Sequence, residues 1–302
     1  MLGQEYKLLG FMHPYGLCMA IGIIGCFLFL MFTMTKKNFN EEAIDKMLLI
    51  GIVATGFGVL MAAIVQGIYE VLAGGKFSLA AMTFQGGLIG GVVSFLAVWN
   101  IYIFVVAPKT KIKLLQNNMN ATLSDAIPFV PPSITIAHAF GRLGCTFAGC
   151  CHGAETDAWF GINMYINGGG VGSYGTPVKV VPTNLFECLF LVFLSALMIV
   201  LYYKFRFKYN FPLYLIVYGA WRFGLEFLRD DYRAQFAAIT PSQIMSIIMV
   251  VGGVAFIFLQ YYVLNKLMKH PELQPPVRQP KAKKPAANNA PSDGVNEGDN
   301  HE

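Results

Sequence analysis

The stretch HAFGRLGCTFAGCCHG, residues 138–153, concentrates side chains that could do chemistry. It holds two histidines, an arginine, three cysteines and four glycines, beside long apolar runs. Histidine moves protons, arginine binds phosphate oxygens in pairs, and a thiol near a cation becomes a nucleophile. The residue types therefore leave three kinds of site open: a metal centre, a thiol centre, or the polar floor of an active site inside a membrane.

The three cysteines of this stretch are candidate metal ligands. With His152 they supply enough ligands for zinc, but adjacent cysteines rarely both face one ion and no distant ligand pair completes a zinc framework. A lipid-accepting or acyl-transferring thiol is a second alternative. The favoured interpretation is that Cys145, Cys150 and Cys151 are small, tolerated replacements in a glycine-rich turn. We therefore expect no metal and no cofactor.

The composition indicates an integral membrane protein. Of the 302 residues, 55% are hydrophobic and only 13% are charged, whereas soluble domains carry about 25% charged residues. The basic residues form short clusters between apolar runs, so nucleic acid is not an expected partner. Six cysteines in a chain of this length do not form the dense disulfide framework of a small secreted domain.

Seven apolar stretches are long enough to cross a bilayer, which takes about 20 helical residues. We therefore predict an all-α integral membrane protein with about seven transmembrane helices. Prolines 128, 131 and 132 should kink or break the fourth stretch, and the glycines of FQGGLIGG predict close packing of the third. The predicted spans are 12–32, 47–72, 84–107, 122–147, 185–203, 211–229 and 241–264.

The distribution of basic residues predicts the orientation. Fifteen lysines and arginines lie in one set of loops with the C-terminal tail, and five lie in the opposite set. By the positive-inside rule the N-terminus is outside and the C-terminus is cytoplasmic. Residues 1–269 form the polytopic membrane domain, and residues 270–302, rich in Pro, Asn, Lys and Ala, form a disordered cytoplasmic tail.

With helices alternating in direction, polar residues from several spans converge near the outer face. A charge at the bilayer centre costs about 2.5–3.5 kcal/mol on insertion scales, so Arg142 and Arg222 need partners. Either Glu187 and Glu226 neutralise them and hold helices together, or the two guanidinium groups bind a phosphate. In the outer leaflet that phosphate belongs to a phospholipid. The converging residues are Tyr15, Gln85, His138, Arg142, Cys145, Glu187, Tyr218, Arg222, Glu226 and Arg229.

In their order and spacing, these motifs resemble the bacterial prolipoprotein diacylglyceryl transferase family. The matching pieces are Tyr15-Gly16, QGGLIGG, Asp125, GRLG at 141–144, PTNLFE at 182–187, YGAWRFGLEFLR at 218–229 and PSQIMS at 241–246. The resemblance implies transfer of the diacylglyceryl group of phosphatidylglycerol to the lipobox cysteine of a prolipoprotein signal peptide. It implies a multi-pass protein of the bacterial inner membrane with its active site toward the outer leaflet.

The resemblance also implies roles for particular residues. The catalytic residues would be Arg142, Arg222, Glu226 and Tyr15. Substrate-binding residues would be Arg142, Gln85, Gly149, Gly153, Glu187 and Arg229. The two arginines would hold the lipid phosphate, and the two glycines would let the loop backbone approach the lipid.

The chain departs from the family signature Gly-Arg-x-Gly-Asn-Phe-x-Asn-Gly-Glu after its first four residues. Cys145 replaces the first Asn, Ala148 the second and Cys150 the Glu, while Gln85 stands where the family carries a candidate basic histidine. His13, His138 or His152 could supply the base, and helical periodicity favours His138.

Two further functions stay open at this stage. One is a non-catalytic lipid- or lipoprotein-binding paralogue, or a related transferase with a changed acceptor. The other, a small-anion transporter, predicts broken helices in an inverted repeat, and the sequence indicates only one broken helix.

Overall fold

The computed structural model describes residues 13–72, 76–77, 84–106, 109, 119, 121, 123–165, 177–229 and 240–269. In these ranges the secondary structure is helical apart from one small hairpin. The helices are α1 Pro14–Lys36, α2 Glu41–Leu72, α3 Phe84–Ile101, α4 Leu123–Ala126, α5 Val130–Ala148, α6 Thr183–Phe205, α7 Asn210–Leu225 and α8 Pro241–Lys269. A π-helical turn, Tyr102–Val106, continues α3, and a 3-10 turn, Glu226–Leu228, continues α7.

Four helices of the described part are long and apolar enough to cross a membrane by length and composition. They are α1, Glu41–Ile68 of α2, α6, and Ser242–Tyr262 of α8. Large apolar side chains such as Leu28, Phe193 and Phe258 project outward from them, as lipid contact requires. The chain is therefore an integral membrane protein, while the count of seven spans stays a prediction.

The prolines divide the fourth apolar stretch into two helices. Helix α4 ends at Ala126, a turn covers residues 127–129, and α5 begins at Val130. Pro131 and Pro132 lie in the first turn of α5, where an amide has no partner within the helix and proline is tolerated. After this break, residues Val130–Ala148 form one continuous helix.

The sixth apolar stretch is shorter as a helix than periodicity predicted. Helix α7 ends at Leu225, Glu226 opens the 3-10 turn, and Arg229 follows in extended conformation. The predicted span 211–229 is therefore α-helical only as far as Leu225. A tighter turn changes where Glu226 and Arg229 lie relative to Arg222.

Small residues let neighbouring helices approach closely. A Cβ atom on Gly22 of α1 would lie 2.7 Å from Cβ of Phe140 and 3.0 Å from the Ala137 carbonyl oxygen on α5. A Cβ on Gly58 of α2 would lie 3.0 Å from the carbonyl oxygen of Gly87 on α3. The predicted close packing of the FQGGLIGG helix is confirmed at this crossing.

Helices α5, α6 and α7 pack with alternating directions around a shared apolar core. Ser195 on α6 donates to the Pro132 carbonyl on α5 over 3.0 Å, and Asn210 on α7 donates to the Met198 carbonyl on α6 over 3.2 Å. Leu191, fully buried, lies in this core. The N-termini of α1, α6 and α8 and the C-termini of α5 and α7 consequently meet at one end of the bundle.

A short antiparallel hairpin covers part of this end. Strand β1, Ile162–Met164, pairs with β2, Val178–Val180. The chain before it continues the pairing, since Gly153 donates to the Val181 carbonyl (2.8 Å). These strands were not predicted from the sequence, and residues 166–176 between them lie outside the described ranges.

Candidate active site

Arg142 and Glu187 form an ion pair between α5 and α6. The Arg142 Nε atom lies 3.0 Å from Oε1 of Glu187, whose side chain is completely buried. The Tyr218 hydroxyl on α7 donates to the same oxygen over 2.7 Å. Because breaking a buried pair leaves an uncompensated charge, this carboxylate holds three helices in one arrangement.

His138 lies beside this pair, enclosed by two tyrosines. Its Nδ1 lies 3.2 Å from the Tyr214 hydroxyl, and its Nε2 lies 3.4 Å from the Tyr218 hydroxyl. Because Tyr218 gives its proton to Glu187, it can only accept from His138, so Nε2 carries a hydrogen, and in a neutral imidazole Nδ1 then accepts from Tyr214. This arrangement describes a neutral imidazole that positions Tyr218.

A second cluster of charges surrounds Glu226. The Arg222 Nη2 atom lies 3.0 Å and the Arg229 Nε atom 3.9 Å from Oε2 of Glu226. Thr240 donates to the other oxygen over 3.0 Å. Counted with the first pair, three guanidinium groups face two carboxylates, so the site carries a net positive charge. Nη1 of Arg222 is buried and makes no hydrogen bond to any residue in the described ranges.

The cysteine loop follows directly after α5. Gly149 ends the helix in the left-handed region (φ 65°), and Cys151 has a left-handed φ of 58°. The Asn184 amide donates to the Cys150 carbonyl (2.7 Å), and the Thr183 hydroxyl donates to the Cys151 carbonyl (3.0 Å). The first residues of α6 thus hold the backbone of both adjacent cysteines.

The three thiols of this segment form one cluster. The Sγ atoms of Cys145, Cys150 and Cys151 all lie within 4.8 Å of one another. Hydrogen bonds from the Cys145 and Cys150 thiols lower the pKa of Cys151, burial opposes this, and Arg229 and Arg142 lower that pKa further. The contacts with Cys145 and Cys151 raise the pKa of Cys150. The first thiol of the cluster to ionise is therefore Cys151.

Backbone conformation and packing within the protein explain why glycine occupies the two predicted loop positions. Gly149 supplies the left-handed residue that ends α5, a conformation in which glycine has no Cβ clash. A Cβ on Gly153 would lie 2.5 Å from the Leu228 carbonyl oxygen and 2.9 Å from the Thr183 side chain. Both glycines therefore allow the loop to lie against the protein, whether or not lipid also approaches it.

Tyr15 and the remaining predicted residues occupy different positions at this end. The Tyr15 ring packs at Gly144, where a Cβ would lie 3.0 Å from the ring, and Tyr15 is 42% exposed. His13 is exposed at the start of α1. His152 is half-buried, with Nδ1 2.9 Å from the Gly153 carbonyl. The side chain of Gln85, in the first turn of α3, lies outside what the structure describes.

Sequence reasoning missed the roles of Tyr214, Thr240 and Gln243. Tyr214 precedes Tyr218 by four residues, so helical spacing already put them on one face. Thr240 and Gln243 form a reciprocal capping box at the start of α8, with bonds of 3.1 and 3.2 Å. The letters TPSQ carry that capping signature, which could have identified Thr240 as a fixed neighbour of the site.

Fold and site together define a polytopic membrane protein with buried arginines, carboxylates and tyrosines at one end of its helices. The sequence matches the model of the prolipoprotein diacylglyceryl transferase family over residues 7–259. The match covers most of the chain, and the chain belongs to this family. The resemblance inferred from the motifs is confirmed, and the protein is an enzyme of the transferase class.

Curated relatives agree with this family over most of their length. A phosphatidylglycerol–prolipoprotein diacylglyceryl transferase of Clostridium tetani is 28% identical over 251 residues, covering 82% of this chain and 92% of the relative. A second, from Clostridium perfringens, is 27% identical and covers 84% and 91%. A third, from Dehalococcoides mccartyi, is 27% identical and covers 80% and 86%.

Proposed function

We propose that this protein transfers the diacylglyceryl group of phosphatidylglycerol to the lipobox cysteine of a prolipoprotein signal peptide. Glycerol phosphate is the second product. The observation that carries the proposal is the net positive site in which Arg222 keeps a buried, unbonded Nη1 among the described residues. A planar guanidinium with a free donor suits a phosphate oxygen. The names of the relatives support the same donor and acceptor.

The proposed topology has seven spans, an external N-terminus and a cytoplasmic C-terminus. Besides the four long helices, α3, α5 and α7 cross the bilayer, with 18, 19 and 16 helical residues. The π-helical and 3-10 turns lengthen α3 and α7. The charge asymmetry of the loops supports this orientation, which directs the site toward the outer leaflet of the bacterial inner membrane.

The reaction is a nucleophilic displacement at the carbon of the diacylglyceryl group that is bonded to the phosphate oxygen. The acceptor thiolate forms the new C–S bond, the C–O bond breaks, and its electron pair leaves with glycerol phosphate. Arg142 and Arg222 bind the phosphate and stabilise the charge that develops on the leaving group. Glu187 orients Arg142, and Glu226 orients Arg222.

The remaining predicted residues act around this centre. Tyr15 and Gln85 hydrogen-bond the headgroup or the peptide, and Arg229 adds positive charge beside Glu226. Gly149 and Gly153 keep the loop backbone close to the lipid. A cavity of about 240 Å³ offers an apolar surface to an acyl chain of the lipid. It is lined by residues that flank Arg222 in the sequence, namely Ala220, Trp221, Gly224, Leu225 and Leu228.

A histidine accepts the proton of the acceptor thiol. Helical periodicity favoured His138 over His13 and His152, but both ring nitrogens of His138 face tyrosine hydroxyls. A carbonyl can only accept, so His152 donates from Nδ1 to Gly153 and keeps a lone pair on Nε2. We assign the base to His152, and loss of a base typically costs 10²–10⁴-fold in rate. The His152→Gln variant should show this loss, and His13→Gln should not.

Complementation tests the function directly. Cells depleted of their own transferase should again lipidate prolipoproteins when they express this chain. The Arg142→Ala and Arg222→Ala variants should fail, whereas Arg206→Ala should succeed, because Arg206 is exposed at the opposite end of α6. Lipidation by both site variants at the level of the unchanged protein would overturn the mechanism.

A non-catalytic lipid-binding role is the second candidate, because Gln85 and Cys145 replace residues of the family signature. It predicts binding to phosphatidylglycerol vesicles that depends on Arg142 and Arg222, with no lipidation in the complementation strain. Restored lipidation would exclude it.

A further inference from the structure

The thiol cluster of Cys145, Cys150 and Cys151 is not accounted for by diacylglyceryl transfer. The family signature has Asn at the first of these positions and Glu at the second. In this chain thiols therefore replace side chains that carry oxygen atoms. All three Sγ atoms lie within 4.8 Å of one another, and all three thiols are free and half-buried.

The backbone around the cluster holds the thiols in this arrangement. Cys151 adopts a left-handed φ of 58°, which costs a non-glycine residue about 1–3 kcal/mol and persists only where the surroundings impose it. Thr183 and Asn184 impose it by binding both cysteine carbonyls. The left-handed residue lets two neighbouring side chains converge on one point, which answers the objection that adjacent cysteines face apart.

We propose that Cys145, Cys150 and Cys151 form a binding site for a thiophilic metal ion of the zinc and cadmium class. A Zn–S distance of about 2.3 Å places three sulfur ligands about 3.8–4.0 Å apart. The separations of the three Sγ atoms exceed that spacing by at most about 1 Å, since all lie within 4.8 Å of one another. A water molecule takes the fourth position of the tetrahedron, as in zinc sites with three protein ligands.

The charge around the cluster favours the metal-bound form. Three thiolates and one divalent cation carry a net charge of minus one. Arg142 precedes Cys145 by three residues on α5, a spacing that puts both side chains on one face of the helix, and a positive group there stabilises a net anionic complex. Metal binding requires deprotonated thiols and releases their protons, so affinity should rise with pH until the thiols are ionised.

The test uses the full chain purified in detergent, reduced, stripped with a chelator and titrated with Cd²⁺. Sulfur-to-cadmium charge-transfer absorption should appear and saturate at one ion per chain, and Zn²⁺ should remove it by competition. The triple variant Cys145→Ser, Cys150→Ser, Cys151→Ser should show no such absorption. The matched control changes the three cysteines outside the cluster, Cys18→Ala, Cys26→Ala and Cys188→Ala, and should bind like the unchanged protein.

Single Cys→Ser variants keep the test decisive if the triple variant does not fold. Each should weaken Cd²⁺ binding by more than about 100-fold, since even outer-shell partners of a metal ligand contribute 10–100-fold. Absent absorption in the unchanged protein, or single variants that bind Cd²⁺ as tightly as the unchanged protein, would overturn the proposal. A disulfide between two of these cysteines would also overturn it, if mass spectrometry finds that disulfide after the reductant is removed in the presence of Zn²⁺.

Discussion

At the residue scale, Glu187 connects most of the polar groups of the site. It pairs with Arg142, accepts from Tyr218 and lies 4.0 Å from His138. Its other carboxylate oxygen, Oε2, is buried without a hydrogen bond to any residue in the described ranges. A buried carboxylate in an apolar bundle persists only because these partners compensate its charge.

Replacing Glu187 by glutamine should therefore destabilise the protein and impair transfer. The amide keeps the size of the side chain but leaves Arg142 without a counter-charge, and breaking a buried pair costs about 3–5 kcal/mol. Thermal unfolding in detergent and lipidation in the complementation strain would measure both effects. Glu42→Gln, which neutralises the 31% exposed carboxylate that pairs with Lys46 on α2, should cost less, and equal losses in the two variants would contradict this role.

The two adjacent cysteines should differ in reactivity. The pKa of Cys151 is lowered and that of Cys150 is raised, and only the thiolate reacts with an alkylating reagent. Iodoacetamide should modify Cys151 at a lower pH than Cys150, as peptide mass spectrometry after brief labelling would show. In denaturant the difference in reactivity should vanish, because the pKa of both thiols returns to about 8.5. Earlier labelling of Cys150 in the folded protein would refute the assignment.

At the element scale, the crossing of α1 on α5 determines where Tyr15 lies. Gly22 packs against Phe140 and the backbone of Ala137, and Gly144 packs against Tyr15. Without side chains at these glycines the two helices approach closely. The position of Tyr15 beside Arg142 and the cysteines therefore depends on packing one to two turns away.

Gly22→Ala should force α1 away from α5. The added Cβ would meet backbone atoms at 3.0 and 3.2 Å, and overpacking of this kind costs about 1–3 kcal/mol. Gly16→Ala, in the same helix with nothing within 4 Å of its Cβ, should be neutral or stabilising because alanine favours helix. Thermal unfolding of the two variants compares them, and a Gly22 variant as stable as the Gly16 variant would show that the crossing adapts.

At the scale of the whole molecule, alternating helix directions bring five helix ends together. Residues far apart in the chain, such as Tyr15, Arg142 and Thr240, meet there through the ends of α1, α5 and α8. The family match ends at residue 259, before the stretch that composition predicts to be a disordered tail. The catalytic unit should therefore be complete within residues 1–269.

Deletion of residues 270–302 should leave lipidation intact. The tail is polar and proline-rich and holds almost no large apolar residues, so it cannot bury a core of its own. Complementation by the truncated chain, at protein levels matched by membrane immunoblot, checks this. A truncated chain that reaches the membrane in equal amount but fails to lipidate would contradict the domain division.

Much of this architecture was predictable from local sequence properties. Hydropathy located the helices to within a few residues, and the proline triplet predicted the break before Val130. The i, i+4 spacing of Arg222 and Glu226 predicted their pairing, although the switch to a 3-10 turn after Leu225 was not visible. These features follow from backbone geometry and side-chain polarity within a few residues.

The sequence by itself determined the membrane class, the family and the arginines that carry the proposed chemistry, because hydropathy and ordered motifs are properties of the linear chain. Tertiary structure alone decided that Glu187 is the partner of Arg142, that two tyrosines enclose His138, and that three thiols meet beneath Thr183 and Asn184. Those contacts join residues 32 to 80 positions apart or depend on one left-handed residue. They arise only when packed helices bring their ends together, since no local propensity specifies which distant side chain completes a buried pair.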